Sequence, residues 1–186
     1  MMDRIIGAFT FRKGVYAEAA NDPLFTTDAW IIVVVANFIA QLGSSAALLT
    51  GSEGFTGYLV SVIVGTLMSV IGFVVSVFLI SWLARSMFKS TAGFDELQRA
   101  MGLANVWRVI GFLGILSAIS PALVCLLSPV TIIAGIAGLA AYLISVREAT
   151  GMEWVGVIVT VFVAVIALHS FDQSIQNFVF VCFFRV

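Results

Sequence analysis

The chain has 186 residues, of which 61% are hydrophobic and only 10% charged, against roughly 45–50% and about 25% in soluble domains. A single soluble domain of this size cannot enclose that apolar surplus, so lipid must cover it. The net charge of −1 supplies no dense cationic patch for nucleic acid. Two cysteines, Cys125 and Cys182, are too few for a metal site or a disulfide framework and leave room for one bridge toward the outer face.

Residues 1–28 mix polar and apolar side chains and hold seven charges. They contain no apolar core of signal-peptide length, which argues against a cleaved signal. Ile5, Phe9 and Tyr16 share one helical face, which predicts an interfacial helix with Arg12 and Lys13 turned toward anionic lipid. Asn21-Asp22-Pro23 should end that helix.

Five spans follow, at about 29–49, 58–83, 106–127, 130–146 and 154–171. Thr27 or Asp28 is placed to cap the first. The main cytosolic loop, 84–105, contains a short amphipathic helix in which Phe94, Leu97, Met101 and Ala104 recur at helical spacing. Pro121 either kinks span three or ends it near Ile119, with residues 120–129 forming an outer loop. Residues 172–186 are a Phe-rich outer tail whose apolar stretch, 178–184, is too short to cross.

The cations fix an orientation for this bundle. Arg4, Arg12 and Lys13 precede span one, and Arg85, Lys89, Arg99 and Arg108 are assigned between spans two and three. Arg147 lies between spans four and five, and Arg185 alone falls on the other side. The count is 8 to 1, and short cytosolic loops are the ones that hold Lys and Arg. The N-terminus is therefore expected in the cytosol and the C-terminus outside. Trp30, Trp82, Trp107 and Trp154 all fall at cytosolic span ends, where indoles act as interfacial anchors.

No acidic residue is assigned to a span, and no Lys or Arg is either. Proton relays and charged filters place ionisable groups at membrane depth, so a pump or coupled transporter is disfavoured. Asn37 and Gln41, four apart on span one, suit an interhelical hydrogen bond or a polar substrate contact. Ser61, Gly65, Ser69, Gly72 and Ser76 form a small-residue face on span two, as expected of a helix-packing surface. Ala134, Gly135, Gly138 and Ala141 make span four similarly smooth. His169, the only histidine, has no second ligand nearby in sequence, and no nucleophile–base pair or phosphate loop is present. No catalytic residue, metal or cofactor is expected.

Three stretches carry a family resemblance: IIGAFTFRKGVYAEAANDPLFTTDAW, FDELQRAMGLANVWRVIG and TIIAGIAGLAAYLISVREATGMEWVGVIV. In their order, and over roughly residues 5–168, the chain resembles the Yip-domain family, named for interaction with Ypt/Rab GTPases, and above all its small prokaryotic-type members. Trp107 stands where such proteins often have proline, and the extension after Leu168 is atypical. The resemblance implies five helices with a cytosolic N-terminus. Eukaryotic relatives bind GTPases and other membrane proteins in vesicle traffic. Prokaryotic-type relatives have no general assigned activity, so the GTPase role does not transfer.

The expectation is an all-α, non-enzymatic integral membrane protein of prokaryotic inner-membrane type. It would serve as a scaffold, assembly factor or accessory subunit, with lipids and other membrane proteins as partners. One alternative is a transporter or channel for a small neutral solute, lined by Asn37 and Gln41. Another is an accessory subunit of an energy-converting complex, touching pigments or quinones through His169 and the Phe-rich tail.

Overall fold

The computed structural model describes residues 1–50 and 54–165. These residues are helical, with no strand among them. Helices α1 (Met2–Phe9) and α2 (Val15–Ala20) precede α3 (Thr26–Ser44), α4 (Gly54–Phe88) and α5 (Phe94–Ala104). The last continues without a break as a 3-10 helix, Asn105–Ala118, before α6 (Pro121–Thr150). Helix α7, Trp154–Val165, is the last described element.

Four segments are long and apolar enough to cross a membrane: Pro23–Thr50, Gly54–Phe88, Phe94–Leu116 and Leu126–Thr150. The chain is thus a multi-pass helical membrane protein by length and composition. Of the expected fifth span, 154–171, only the short apolar helix α7 is described. Its remainder, with His169, Cys182, Asp172 and the Phe-rich tail, lies outside the described residues.

Helices α3 and α5 with its 3-10 extension run parallel. Gly102 lies beside Ala29, Gly111 beside Ala40, and Gly114 beside Gly43. Helix α4 is antiparallel to α3, with Ser61 meeting Ser45 and Ser69 meeting Gln41. Along α3 the buried residues Ala29, Ile32, Val33, Ala36 and Asn37 alternate with exposed Ile31, Val34, Val35 and Phe38. That 3.6-residue rhythm is a one-sided packing stripe with lipid-facing residues opposite. Two buried clusters hold the bundle. One joins α1, α2, α3, α5 and α6 around Tyr16, Phe25 and Leu103; the other joins α3–α7 around Phe73, Ile80, Leu97 and Met101.

Four expectations need correction. The N-terminal segment is not one interfacial helix. Phe11 (φ 51°) and Gly14 (φ 82°) reverse the chain, and α2 folds back so that Val15, Tyr16, Ala19 and Ala20 are buried against the bundle. Left-handed backbone at Gly14 carries no Cβ penalty. Asn21-Asp22-Pro23 does end α2, and Asp22 accepts from the Leu24 N–H at 3.0 Å. The Arg4 guanidinium, 2.8 Å from Asp22, holds that carboxyl below its usual range.

Secondly, of the two readings of Pro121 the helix does end near Ile119 rather than running to 127, but residues 121–129 are helical rather than an outer loop. Pro121 sits in the first turn of α6, where its missing N–H would have no partner anyway; Pro129 is the proline inside the helix. Thirdly, the amphipathic helix expected within the cytosolic loop forms, as α5, but it is not on the surface. Leu97 through Ala104 are all buried, because α2, α3 and α6 pack around it. Fourthly, Arg108 is not in a loop. It lies inside the helix that forms the third candidate span.

Candidate functional site

Two constructions stand out, one at the end of the bundle that holds the N-terminal helices and one in its wall. At the end, α2 is clamped at both termini by side chains from distant helices. The Glu148 carboxylate of α6 accepts N–H bonds from Gly14 (3.1 Å), Tyr16 (3.1 Å) and Ala17 (3.0 Å). These are donors that a helix N-terminus leaves unpaired, and a negative charge there also complements the helix dipole. Arg99 of α5, 7% exposed, donates through Nε to the Ala20 carbonyl at 2.9 Å and through Nη1 to Thr26 Oγ1 at 3.3 Å. Its charge lies at the dipole's negative end. Burial, and secondarily Glu148, push the Tyr16 phenol up. Trp107 adds a third tie: its indole donates to the Ala8 carbonyl at 3.3 Å and its rings meet Phe9 and Phe11 at 5.1 and 5.3 Å.

In the wall, a cavity of about 590 Å³ opens between α3, the 3-10 helix and α6. That volume falls in the range of roughly 300–1,000 Å³ usual for ligand sites. Its walls are largely small or apolar: Ala40, Gly111, Ala134, Gly135, Gly138 and Leu139. Its polar groups come from Gln41, Ser44, Asn105, Arg108, Thr131 and Tyr142. A smaller cavity of about 150 Å³ on the α4 and α7 side shares Asn105, Arg108 and Tyr142.

The 3-10 winding explains why these residues converge. With three residues per turn, side chains at i and i+3 eclipse. Asn105, Arg108, Gly111 and Gly114 therefore share one face, which begins polar and ends in two glycines against α3. Arg108 is exposed to the cavity. Among the described residues no carboxylate lines either cavity. Among the described residues the ion pairs are Arg4–Asp22 and Arg12–Glu18, and Arg108 has no protein hydrogen-bond partner.

The residues singled out from sequence are dispersed. Gln41 donates to Ser69 Oγ across the α3–α4 interface at 3.2 Å and accepts from Ser44 Oγ at 2.8 Å. Asn37 is buried, but its amide donates to the Val33 carbonyl of its own helix at 2.7 Å and its Oδ1 has no partner. The small-residue face of α4 divides. Ser61, Gly65 and Ser69 meet α3 through Ser45 and Gln41. Ser76 donates to the Gly72 carbonyl within α4, and a Cβ on Gly72 would meet nothing within 4 Å. Trp30 packs edge-on against Phe73 at 6.1 Å, whereas Trp82 is 59% exposed. Trp154 is partly exposed and carries the Arg147 guanidinium 4.5 Å from its ring centroid.

Sequence reasoning missed the tightest contact, between Ala40, Gly43, Gly111 and Gly114, although Gly111, Gly114 and Ala118 recur at helical spacing and form a small-residue stripe in span three. It also missed Glu148 and Arg99 as clamps, since their partners are backbone groups 131–134 and 79 residues away. Comparison with protein-family models, with curated proteins and with solved structures finds no match to this chain.

Proposed function

We propose that this membrane protein is a non-enzymatic scaffold, assembly factor or accessory subunit of a prokaryotic-type inner membrane. In this reading it has five spans and the Yip-like arrangement its sequence resembles, and it works through helix packing and lipid contacts. What carries this reading is the free apolar flank of α6. Val130, Ile132, Ile133, Ile136 and Leu139 are exposed along one continuous helix, and only 17% of its apolar window is buried within the chain. Lipid or a neighbouring helix must cover that flank, and packing is what drives helix association in lipid. Gentle purification should therefore yield the chain with other integral membrane proteins attached, and Ile133→Ser with Ile136→Ser should release them. A lone chain in mild detergent, unchanged by the double substitution, would sink the proposal.

The transporter reading keeps one observation in its favour: Gln41 lines the larger cavity. Neutral-solute flux in proteoliposomes that vanishes with Gln41→Leu would replace the scaffold reading. The energy-converting alternative rests on His169 and the tail, outside the described residues, and an absorbance spectrum of the purified protein decides it.

The same reading puts the N-terminus in the cytosol, and two observations support it. Contacts of α2 with Glu148 and Arg99, and of Ser90 Oγ with the Thr150 carbonyl at 3.1 Å, gather residues 14–20, 90–99 and 148–150 at one end. Arg12, Lys13, Lys89, Arg99 and Arg147 lie in or beside those segments, so this end is assigned to the cytosol. In a background lacking Cys125 and Cys182, Thr50→Cys should react with an impermeant thiol reagent in intact cells and Lys89→Cys only after lysis. Labelling of position 89 from outside would reverse the orientation.

A further inference from the structure

We propose that the larger cavity binds one anionic phospholipid of the cytosolic leaflet, with its phosphate on Arg108 and an acyl chain along the small-residue wall of α6. Charge is the first argument. A cation within a membrane helix is costly unless it is paired, hydrated or given an anion. Among the described residues Arg108 faces the cavity with no carboxylate beside it, and Asn105, which also lines the cavity, has a second amide N–H to offer a phosphate oxygen besides the one it donates to the Met101 carbonyl at 3.2 Å.

Depth is the second argument. Trp107, the next residue, bonds to Ala8 of α1, so Arg108 lies close to the level at which the cytosolic helices meet the bundle. That is headgroup depth. From Tyr142 to Thr131 the cavity follows α6 for eleven residues, or ~16 Å at the helical rise, about half of the roughly 30 Å hydrocarbon core. The site thus matches one leaflet in length and places its cation at the cytosolic end.

Shape is the third. A Cβ added to Gly135 meets nothing within 4 Å, and one on Gly138 meets only Trp107 Cβ at 3.4 Å. Gly135 brings no helix close, and Gly138 approaches the 3-10 helix only at Trp107. They leave a lane between Ala40 and Gly111 on one side and Ala134 and Leu139 on the other. A linear acyl chain fits such a lane, whereas a free anion would leave its apolar length unfilled. The assignment rests on the chain being a membrane protein but not on its assembly role. Loss of lipid preference with partners retained, or the converse, separates the two.

The test uses the full chain with Trp30, Trp82 and Trp154 replaced by Phe, leaving Trp107 in the cavity wall as reporter. In vesicles, Trp107 quenching by phosphatidylglycerol brominated on its acyl chains is compared with quenching by equally brominated phosphatidylcholine. The expected result is about a fivefold preference for the anionic lipid, the effect of one Lys/Arg at an anionic membrane surface. Unbrominated phosphatidylglycerol should reverse the quenching, and inorganic phosphate should not. Arg108→Gln should erase the preference and Arg108→Lys should retain part of it. Gly135→Leu, which fills the lane without a backbone clash, should reduce quenching by both lipids. Equal quenching by the two lipids in the parent, displacement by inorganic phosphate, or unchanged quenching in Gly135→Leu would each overturn the proposal.

Discussion

Replacing Gly43 by alanine should destabilise the bundle more than any other single-methyl change at its glycines. The added Cβ would sit 2.0 Å from the Gly111 carbonyl oxygen and 2.9 Å from both Gly111 C and Phe112 Cα. All three are backbone atoms, so no rotamer change relieves the overlap, and α3 must move away from the 3-10 helix. Overpacking of this kind typically costs about 1–3 kcal/mol, occasionally more, and the contact runs along the most extensive helix pair in the protein. Gly114→Ala should follow, since its Cβ would lie 2.8 Å from the Gly43 carbonyl. Gly72→Ala and Gly135→Ala serve as opposite controls. Their Cβ atoms meet nothing, and alanine is favoured over glycine in a helix interior by about 1 kcal/mol. Thermal unfolding in detergent should show a large fall in Tm for Gly43→Ala and none for Gly135→Ala. Equal shifts in the two would mean that the α3 contact is looser than its geometry indicates.

Glu148→Ala should release the N-terminal helices from the bundle while leaving the spans in place. Helix α2 is only six residues long, and isolated helices shorter than about 12–15 residues are marginal in water. Its persistence depends on what holds its ends. Removing the carboxylate leaves the N–H groups of Gly14, Tyr16 and Ala17 without their acceptor, and hydrogen bonds to a charged group contribute about 1.5–3 kcal/mol each. A loss of about 2 kcal/mol raises the open population ~30-fold. Trypsin should then cut at Arg12 and Lys13 correspondingly faster, and the α2 amides should lose protection from hydrogen exchange. Glu148→Gln should fall between, because it keeps an acceptor and loses the charge. Arg99→Met should loosen the same helix from its other end. The neighbouring Arg12–Glu18 pair is half-exposed and worth at most about 1 kcal/mol, so Glu18→Gln should change cleavage little. Trypsin rates unchanged in Glu148→Ala would show that apolar burial of Tyr16 and Ala19 alone holds α2.

The contrast between Gly43 and Gly72 shows why small residues were only partly readable. Both belong to runs of small side chains, yet one lies against backbone and the other faces open space. Spacing names a face; it does not name the neighbour. The same holds for Gly135 and Gly138, which were read as a packing surface and instead line a cavity. Asn37 and Gln41 share a face as their four-residue spacing requires, yet Gln41 bonds to α4 and Asn37 to its own helix.

By itself, the sequence determined the apolar character of this protein, its all-helical class and the approximate positions of four of the five spans it predicts. Those follow from composition and from periodicities set by local geometry. Tertiary structure decided the rest. Pro121 could open a helix or break one, and the choice fell where Ile119 and Ser120 both turn back to the Leu116 carbonyl. The amphipathic helix 94–104 could face water or protein, and α2, α3 and α6 covered it. Arg108 reads as a loop cation when its segment is taken to start a new span. It becomes part of the third candidate span because the helix from Phe94 runs on without a break, and its 3-10 winding turns residues 105, 108 and 111 onto one face. A 3-10 run this long is uncommon, and only the folded chain shows that it lies against Ala40 and Gly43 of α3.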